Sequence, residues 1–178
     1  MTMHILICGA TESGKTTLAR ILVRTWCRGG RYALIYDPYE SKWDCNNVYT
    51  DIDMFISEAK NRKNCLVVVD ESGLALDRHD KEHLWLATES RHYGHSVIFI
   101  SQRPQLLSPN IRHQTQICYM FGMTPDDTYI ISQDYNHPEV STMEPLQQFH
   151  CLKIRRFRPV TRLLVDVKKM TVSALDKA

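Results

Sequence analysis

The 178-residue sequence lacks the features that mark several classes of protein. No apolar run approaches the ~20 residues that a membrane-spanning helix needs, and no two of the six cysteines form a C-x-x-C pair. No internal repeat, low-complexity tract or linker divides the chain. The formal net charge of +2 is too small for a nucleic-acid coat, so binding to a polyanion would depend on local clusters of charge. We therefore expect a cytosolic protein with free thiols and without a membrane anchor of its own.

The length and composition are those of an ordinary globular chain. A hydrophobic share of 43% and a charged share of 24% are enough to build one buried core. We predict a single domain over residues 1–178, with the core at 1–150 and edge strands and a tail at 151–178.

Short apolar runs alternate with helical segments along most of the chain. The runs are rich in Val, Ile and aromatic residues and lie at 4–8, 32–36, 65–70, 96–101 and 116–122. Candidate helices lie between them, at 15–27, 51–62, 80–93 and 126–133. Strands buried on both faces of a parallel sheet have this composition, so the pattern predicts an α/β fold with a mainly parallel central sheet flanked by helices. The tail differs, because 149–157 and 162–169 indicate two antiparallel edge strands around a turn at Pro159.

A phosphate-binding loop follows the first apolar run. Residues 9 to 16, G-A-T-E-S-G-K-T, fit the P-loop pattern G-x-x-x-x-G-K-[ST], in which glycines let backbone N–H groups converge on phosphate oxygens. The helix that begins near Lys15 adds the positive end of its dipole. Lys15 is expected to contact the β- and γ-phosphates, and the Thr16 hydroxyl to coordinate Mg²⁺. The predicted ATP-binding residues are Gly9, Ala10, Thr11, Glu12, Ser13, Gly14, Lys15, Thr16 and Thr17.

Two further strand ends carry side chains suited to hydrolysis. Asp70 and Glu71 end the run CLVVVDES, and Gln102 follows SVIFIS. Ligands of an open α/β sheet collect at the carboxyl ends of its strands. There Asp70 would hold Mg²⁺, Glu71 would activate water, and Gln102 would bond the γ-phosphate and the attacking water. The alternative for residues 70–72 is a helix N-cap.

Together these segments resemble the HerA–FtsK superfamily of P-loop motors. The matching stretches are GATESGKT, the strand that ends in Asp70-Glu71, ESRHYGHSVIFISQRP, LIYDP and LSPNIRHQTQICYMFGM. The resemblance covers about residues 4 to 135. The short length looks most like the genome-packaging ATPases of tailless, membrane-containing double-stranded-DNA viruses.

The resemblance implies a structure, an activity and partners. The expected fold is RecA-like (of the ASCE type), with the strand before Gln102 lying between the first strand and the strand before Asp70. The expected activity is ATP hydrolysis coupled to movement of double-stranded DNA. The expected assembly is a ring, as a hexamer, that binds capsid or membrane vertex proteins in the host cytoplasm and in the virion. Glu12 departs from the family loop, which has Gly there.

An arginine is expected to neutralise charge in the transition state. Arg91, at the Arg-x-x-Gly position of the resemblance, is the first candidate to contact the γ-phosphate, within one subunit or across the interface. Arg112 is the second candidate. The alternative for Arg91 is a solvated helix residue.

A basic segment near the end of the chain has two interpretations. Residues 153–162, KIRRFRPVTR, contain five basic side chains that would contact DNA phosphates in a salt-sensitive, sequence-independent manner. Alternatively they belong to an edge strand whose charges discourage edge-to-edge pairing, an interpretation that we favour slightly.

Other classes of ATPase remain as alternatives to a DNA motor. An assembly or secretion ATPase of the filamentous-phage type usually carries a transmembrane segment, which this sequence does not show. A small nucleotide kinase would need an arginine-rich lid and has less need of the adjacent Asp70 and Glu71.

Overall fold

The computed structural model describes residues 2–45, 47–77 and 79–175, and in these residues nine strands form one sheet. The strands are β1 (Ile5–Cys8), β2 (Ala33–Tyr36), β3 (Val48–Tyr49), β4 (Leu66–Val69), β5 (Ser96–Ser101), β6 (Ile117–Met120), β7 (His150–Arg155), β8 (Arg158–Asp166) and β9 (Thr171–Ala174). Their spatial order is β3-β2-β4-β5-β1-β6-β7-β8-β9. The predicted order is confirmed, because β5 lies between β1 and β4.

Six α-helices and three 3₁₀ turns connect the strands of the described residues. The helices are α1 (Lys15–Cys27), α2 (Ile52–Lys60), α3 (Ser72–Ala75), α4 (Lys81–Thr88), α5 (Pro109–Gln114) and α6 (Pro125–Tyr135), and the turns are Ser90–Tyr93, Pro104–Leu106 and Pro138–Thr142. Side chains cap several helices, since Asp51, Asp80 and Thr124 accept hydrogen bonds from backbone N–H groups of the first turn. Such caps satisfy donors that the helix itself leaves free. Asn136, with φ +56°, ends α6 in the left-handed conformation.

The first six strands pair in parallel, and their side chains alternate between two apolar layers. On one face Ile7, Val68 and Ile98 pack against α1. On the other face Leu6, Val67 and Phe99 belong to the core that α2, α4, α5 and α6 cover. Burial on both faces explains why the sequences of these strands are continuously apolar. The loops after β1, β4 and β5 leave the same side of the sheet, here called the C-terminal edge; the opposite side is the N-terminal edge.

The C-terminal part of the chain extends this sheet with antiparallel strands. β7 pairs with β6, β8 with β7, and β9 with β8. The predicted antiparallel edge is therefore confirmed, with three strands instead of two. The division at residue 150 marks the change from parallel to antiparallel pairing, while the prediction of a single domain stays a prediction.

The predicted turn at Pro159 is wrong. The hairpin turns at Arg156 and Phe157, where Phe157 takes φ +63° and the pairing register shifts by one residue. Pro159 lies inside β8 and is exposed. Proline is tolerated there because β9 pairs only with the later residues of β8, beginning at Leu163.

Several short elements were not predicted from the sequence: β3, α3, α5 and β9. The cysteines are free thiols, as expected, and Cys8, Cys65 and Cys118 are buried. Within the described ranges, no helix is both long and apolar enough to cross a membrane. Residues 176–178 of the predicted tail lie outside the described residues.

Candidate active site

The loop between β1 and α1 needs glycine at two positions. Gly9 has φ +150°, and a Cβ on it would lie 2.6 Å from the Phe121 Cβ. Gly14, with φ +111°, is the N-cap of α1. Glu12 also takes a left-handed conformation, with φ +60°, which costs a side-chain-bearing residue about 1 kcal/mol. Glycine would adopt this conformation without that cost.

Lys15 is held inside this loop. It is 7% exposed, and its Nζ donates a hydrogen bond of 2.7 Å to the carbonyl oxygen of Ala10. Burial lowers the pKa of Lys15, while the carboxylates of Glu71 and Asp70 act to raise it. The ammonium group therefore lies close to both acidic residues that the sequence predicted for the site.

Asp70 lies directly after β4 at the same edge. Its backbone N–H donates to the carbonyl of Tyr36, and its Oδ1 accepts from the N–H of Glu71 at 2.9 Å. Burial raises the pKa of Asp70 to about 6, and the charges of Asp37 and Glu71 act in the same direction. A cation bound beside this carboxylate would relieve that cost.

Asp37, at the end of β2, is completely buried. Its carboxylate accepts hydrogen bonds from the backbone N–H groups of Tyr39 and Ser41 and from the indole N–H of Trp43. Burial acts to raise the pKa of Asp37, but these hydrogen bonds outweigh it and lower the pKa. The carboxylate therefore stays charged, and it orders the start of the loop after β2.

Glu71 is the N-cap residue of α3, but its side chain does not cap the helix. It has φ +48°, one of the few positive values at a non-glycine residue. The Ser72 hydroxyl fixes the start of α3 by donating to the Ile100 carbonyl at 2.7 Å. The N-cap interpretation of residues 70–72 is therefore not confirmed, and the carboxylate of Glu71 remains available at the C-terminal edge.

Three loops meet through two hydrogen bonds on the Gln102 amide. The Thr11 hydroxyl donates to Gln102 Oε1, and Gln102 Nε2 donates to Glu71 Oε1, each at 3.1 Å. Because Thr11, Glu71 and Gln102 follow β1, β4 and β5, the sheet brings together residues that are 31 to 91 positions apart. The structure thus places the predicted side chains from these three loops in one group.

The structure adds two residues that the sequence did not indicate. Gln148 donates to the carbonyl of Glu12 at 3.1 Å, and Phe149 lies over Gly14, where an added Cβ would be 3.1 Å from its ring. They form one side of a cleft of about 340 Å³ above the phosphate loop, whose other side includes Lys15, Thr16 and Thr17. No sequence signal marks these two residues, because their position depends on the antiparallel return of β7.

The residues of this edge fit a nucleoside triphosphate with a divalent cation. The buried hydroxyl of Ser13 has no hydrogen-bond partner within the described residues, and α1 begins at Lys15, so the backbone N–H groups of its first turn lie at this loop. Thr16 lies on the first turn of α1 beside Lys15. Hydroxyl and carboxylate oxygens such as those of Thr16 and Asp70 are the ligands that Mg²⁺ prefers.

The expectation that Arg91 contacts a phosphate within its own subunit is wrong. Arg91 lies in the 3₁₀ turn before β5, at the N-terminal edge, where it bonds the side chain of Gln114. Burial lowers the pKa of His4, and the charge of Arg91 lowers it further. The sheet separates Arg91 from the phosphate loop. A contact across a subunit interface stays a prediction.

Arg112 is occupied by structural contacts. Its side chain pairs with Asp134 at 2.6 Å and donates to the carbonyls of Leu107 and Pro104. Only 12% of the side chain is exposed. Arg112 therefore ties α5 to α6 and does not serve as the second candidate for a phosphate contact.

The strand order and the group formed by the loops after β1, β4 and β5 define a P-loop NTPase fold of the RecA-like class. Among solved structures, the chain is similar to the genome-packaging NTPase B204 of Sulfolobus turreted icosahedral virus 2 in complex with AMPPCP. The identity is 18%, with 97% of this chain and 96% of that chain covered and a TM-score of 0.71.

Two further solved structures share the fold. The conjugation coupling protein TcpA of pCW3, with ATPγS, is 17% identical over 90% of this chain and 59% of that chain, with a TM-score of 0.68. The N-terminal domain of the zonular occludens toxin from Neisseria meningitidis is 17% identical over 99% and 94%, with a TM-score of 0.55. No protein-family model matches the chain, and the comparison with curated proteins finds no match. At these identities the similarities establish the fold alone.

Proposed function

We propose that the chain is an ATPase of the HerA–FtsK superfamily that moves double-stranded DNA and packages a viral genome into a preformed capsid. The observation that carries the ATPase part is the hydrogen-bonded group of Thr11, Gln102 and Glu71 beside the buried Lys15. The DNA part is supported by the fold similarity to B204, over nearly the full length of both chains.

In this proposal the phosphate loop binds the triphosphate of ATP through residues 9–17. Lys15 exchanges its bond to the Ala10 carbonyl for contacts with the β- and γ-phosphates. Mg²⁺, held by Thr16 and Asp70, would supply positive charge against these phosphates. Phe149 and Gln148, on the far side of the same cleft, are placed to contact the remainder of the nucleotide.

Glu71 and Gln102 act on the attacking water. The carboxylate of Glu71 accepts a proton from the water as it attacks, while the Gln102 amide holds Glu71 through the 3.1 Å bond and orients the water. Since Gln102 also bonds Thr11 of the phosphate loop, loss of the γ-phosphate would change both contacts. Gln102 thereby links the state of the nucleotide to the loops after β4 and β5.

The assembly and location follow from the same proposal. Copies of the chain would form a ring, as a hexamer, around DNA at the packaging vertex of the capsid, and capsid or membrane vertex proteins would anchor it. Arg91 of a neighbouring copy would approach the γ-phosphate across the subunit interface.

The test is ATP hydrolysis by the full chain, with and without long duplex DNA, at two salt concentrations. We expect DNA to stimulate hydrolysis and added salt to reduce the stimulation. Lys15→Ala should abolish ATP binding. Glu71→Gln should lower kcat by about 10² to 10⁴-fold while ATP binding is retained.

Glu82→Gln is the matched control, because Glu82 is an exposed carboxylate of α4 whose ion-pair partner is Lys60, at the end of α2. It should hydrolyse ATP at the rate of the unmodified chain. Undiminished hydrolysis by Glu71→Gln would refute the assigned chemistry. Phosphate transfer to a nucleoside monophosphate would indicate a kinase, and hydrolysis that DNA leaves unchanged would favour an assembly ATPase of the filamentous-phage type.

A further inference from the structure

Positive charge is concentrated at the N-terminal edge of the sheet. The segments 28–32, 61–65, 89–95, 114–116 and 155–158 all lie where parallel strands begin or where the β7–β8 hairpin turns. We call these segments the basic edge. They contain one carboxylate, Glu89, and eight cationic side chains. The cations are Arg28, Arg31, Arg62, Lys63, Arg91, Arg155, Arg156 and Arg158.

The C-terminal edge has the opposite character. The loops that follow the parallel strands, 9–14, 37–47, 70–71, 102–108 and 121–124, contain more carboxylates than cations. The six carboxylates are Glu12, Asp37, Glu40, Asp44, Asp70 and Glu71, and the two cations are Lys42 and Arg103. The basic edge therefore carries net positive charge and these loops carry net negative charge, so an extended polyanion is attracted to the basic edge.

Most cations of the basic edge are not neutralised by carboxylates. Arg28, Lys63, Arg155 and Arg158 are exposed and form no ion pair within the described residues, whereas Arg62 pairs with Glu58. Two others are held by uncharged groups, which leave the positive charge uncompensated. Arg31 stacks on Trp26, 3.8 Å from the ring centre, and Arg156 donates to the backbone carbonyls of Asp134 and His113.

The tip of the β7–β8 hairpin presents an aromatic ring between these arginines. Phe157 is 93% exposed and has φ +63°, so both its backbone and its apolar side chain are unfavourable in the isolated chain. Arg156 anchors the turn through its bonds to the backbone of α6 and α5. The ring and the flanking Arg155 and Arg158 are therefore held out to solvent by a fixed turn.

The dimensions of the basic edge fit an extended polyanion. From β2 to β8 the edge crosses six strand spacings, which is about 29 Å. A segment of duplex DNA of that length presents about eight phosphates on each strand. A single phosphate or nucleotide would occupy only a small part of it.

The composition favours nucleic acid over an acidic protein partner. Protein interfaces have a core that is poor in charge and rich in apolar side chains. Within the basic edge, Phe157 is the only large apolar side chain of the described residues that is more than half exposed. Arginine, which supplies most of the charge, offers a planar fork that matches phosphate oxygens.

We propose that the basic edge, apart from Arg91, which the proposed function assigns to the subunit interface, binds the phosphate backbone of duplex DNA. Arg155 and Arg158 are the principal contacts, and Phe157 packs against the sugars between them. This inference rests on the proposed function, which supplies DNA as the polymer that is moved. It places DNA on the side of the sheet opposite the nucleotide, so that the two ligands do not compete for the same loops.

The test measures equilibrium binding of a fluorescent 30-base-pair duplex of mixed sequence to the full chain over a range of salt concentrations. The variant is Arg155→Gln/Arg158→Gln. Removal of two phosphate contacts should make the negative slope of log K against log salt shallower by about 2. It should also weaken binding on the order of 50-fold at 0.1 M salt.

The matched control is Lys168→Gln/Lys169→Gln. It removes the same charge from the turn between β8 and β9, at the opposite end of the same strand. This control should bind DNA as the unmodified chain does. Thermal unfolding and ATP binding by each variant establish that it is folded.

The outcomes separate this inference from the proposed function. Equal losses in both double variants would show that only net charge matters and would overturn the inference. The same conclusion follows if the arginine variant binds DNA normally, or if polyglutamate displaces the duplex at equal charge concentration. In each of these cases DNA-stimulated hydrolysis by the unmodified chain would still support the motor. No DNA binding and no stimulation by the unmodified chain would overturn both.

Discussion

At the scale of single residues, the site combines strained backbone with side chains of restricted freedom. Glu12 and Glu71 both have positive φ, in a conformation that bulky residues rarely adopt. At Glu71 the strain accompanies a carboxylate that is bonded to Gln102, as expected where function requires a fixed geometry. At Glu12 no side-chain hydrogen bond compensates the strain within the described residues. A substitution by glycine at this residue is therefore expected to raise the stability of the loop.

Glu12→Gly should increase both stability and ATP affinity. Glycine takes positive φ without steric cost, which should raise the free energy of unfolding by about 1 kcal/mol. Loss of the negative charge near the phosphates should favour ATP by about 1 kcal/mol, or roughly fivefold in affinity. Calorimetric titration with a non-hydrolysable ATP analogue and thermal unfolding measure the two effects.

The comparison with Glu12→Gln separates strain from charge at this position. Glutamine removes the charge but keeps the side chain, so it should tighten binding without raising the unfolding temperature. If neither variant binds the analogue more tightly than the unmodified chain, the charge of Glu12 does not oppose the phosphates.

At the scale of elements, the stability of the parallel sheet depends on buried polar groups at the N-terminal edge. His4, at the start of β1, is 1% exposed and its Nδ1 accepts from the backbone N–H of Val97 in β5 at 3.3 Å. Its ring lies edge-on to Phe99, and its Nε2 has no partner among the described residues. Burial, followed by the charge of Arg91, lowers the pKa of His4 to about 4.

The pKa of His4 makes the pairing of β1 with β5 sensitive to acid. Below pH 6.5 the unfolded chain binds a proton at His4 that the folded chain does not bind until about pH 4. The contribution of uncharged His4 to the free energy of unfolding is therefore fully present above pH 6.5 and is lost as the pH falls to 4 and below. This difference between the pKa values of His4 in the unfolded and the folded chain corresponds to about 3 kcal/mol in the free energy of unfolding. Urea unfolding of the unmodified chain and of His4→Gln should show their stability difference shrinking by that amount between pH 7 and pH 4.

His92→Gln is the control for removal of an imidazole, since His92 is an exposed histidine in the 3₁₀ turn before β5. A pH-dependent difference of the same size in this variant would contradict the assignment to His4.

The sequence predicted the elements whose pattern is long or strongly apolar. Helix α1 was placed at its observed bounds, and β1, β4 and β5 lie within the predicted runs, because burial on both faces leaves a continuous apolar signature. The two-residue β3 and the six-residue α5 carry too few residues for a periodic signal. The turn was misplaced because the left-handed residue is Phe157, a residue type that gives no turn signal, while nearby Pro159 gives a strong one.

The sequence predicted the side chains at the ends of the parallel strands, but not the residues that reach the candidate site from other parts of the chain. Glu71 and Gln102 could be assigned to one edge because parallel strands end together. The positions of Gln148 and Phe149 could not, since they depend on the chain returning antiparallel along β7. Arg91 was expected near a phosphate from a local motif, although it precedes β5 and Gln102 follows β5, an order that places the two residues at opposite edges of the sheet.

At the scale of the whole molecule, the sheet separates two kinds of chemistry. Its C-terminal edge collects carboxylates and the phosphate loop, and its N-terminal edge collects cations. The net charge of +2 conceals this polarity, which arises only when the fold sorts the loops to opposite sides. A motor requires that the nucleotide change the relative free energy of two arrangements of the chain. The bonds of Gln102 to Thr11 and Glu71 are where that change would begin.

A double-mutant cycle on single-turnover ATP hydrolysis, with Glu71→Gln, Gln102→Ala and both changes together, tests whether the two side chains belong to a single hydrolytic site. In the proposed mechanism the loops after β1, β4 and β5 form one site, in which both side chains act on the same water. Residues that act as a unit are not additive. The double variant should therefore be no more than about threefold slower than Glu71→Gln alone. If instead the two losses multiply, Glu71 and Gln102 act independently and the single hydrolytic site is refuted.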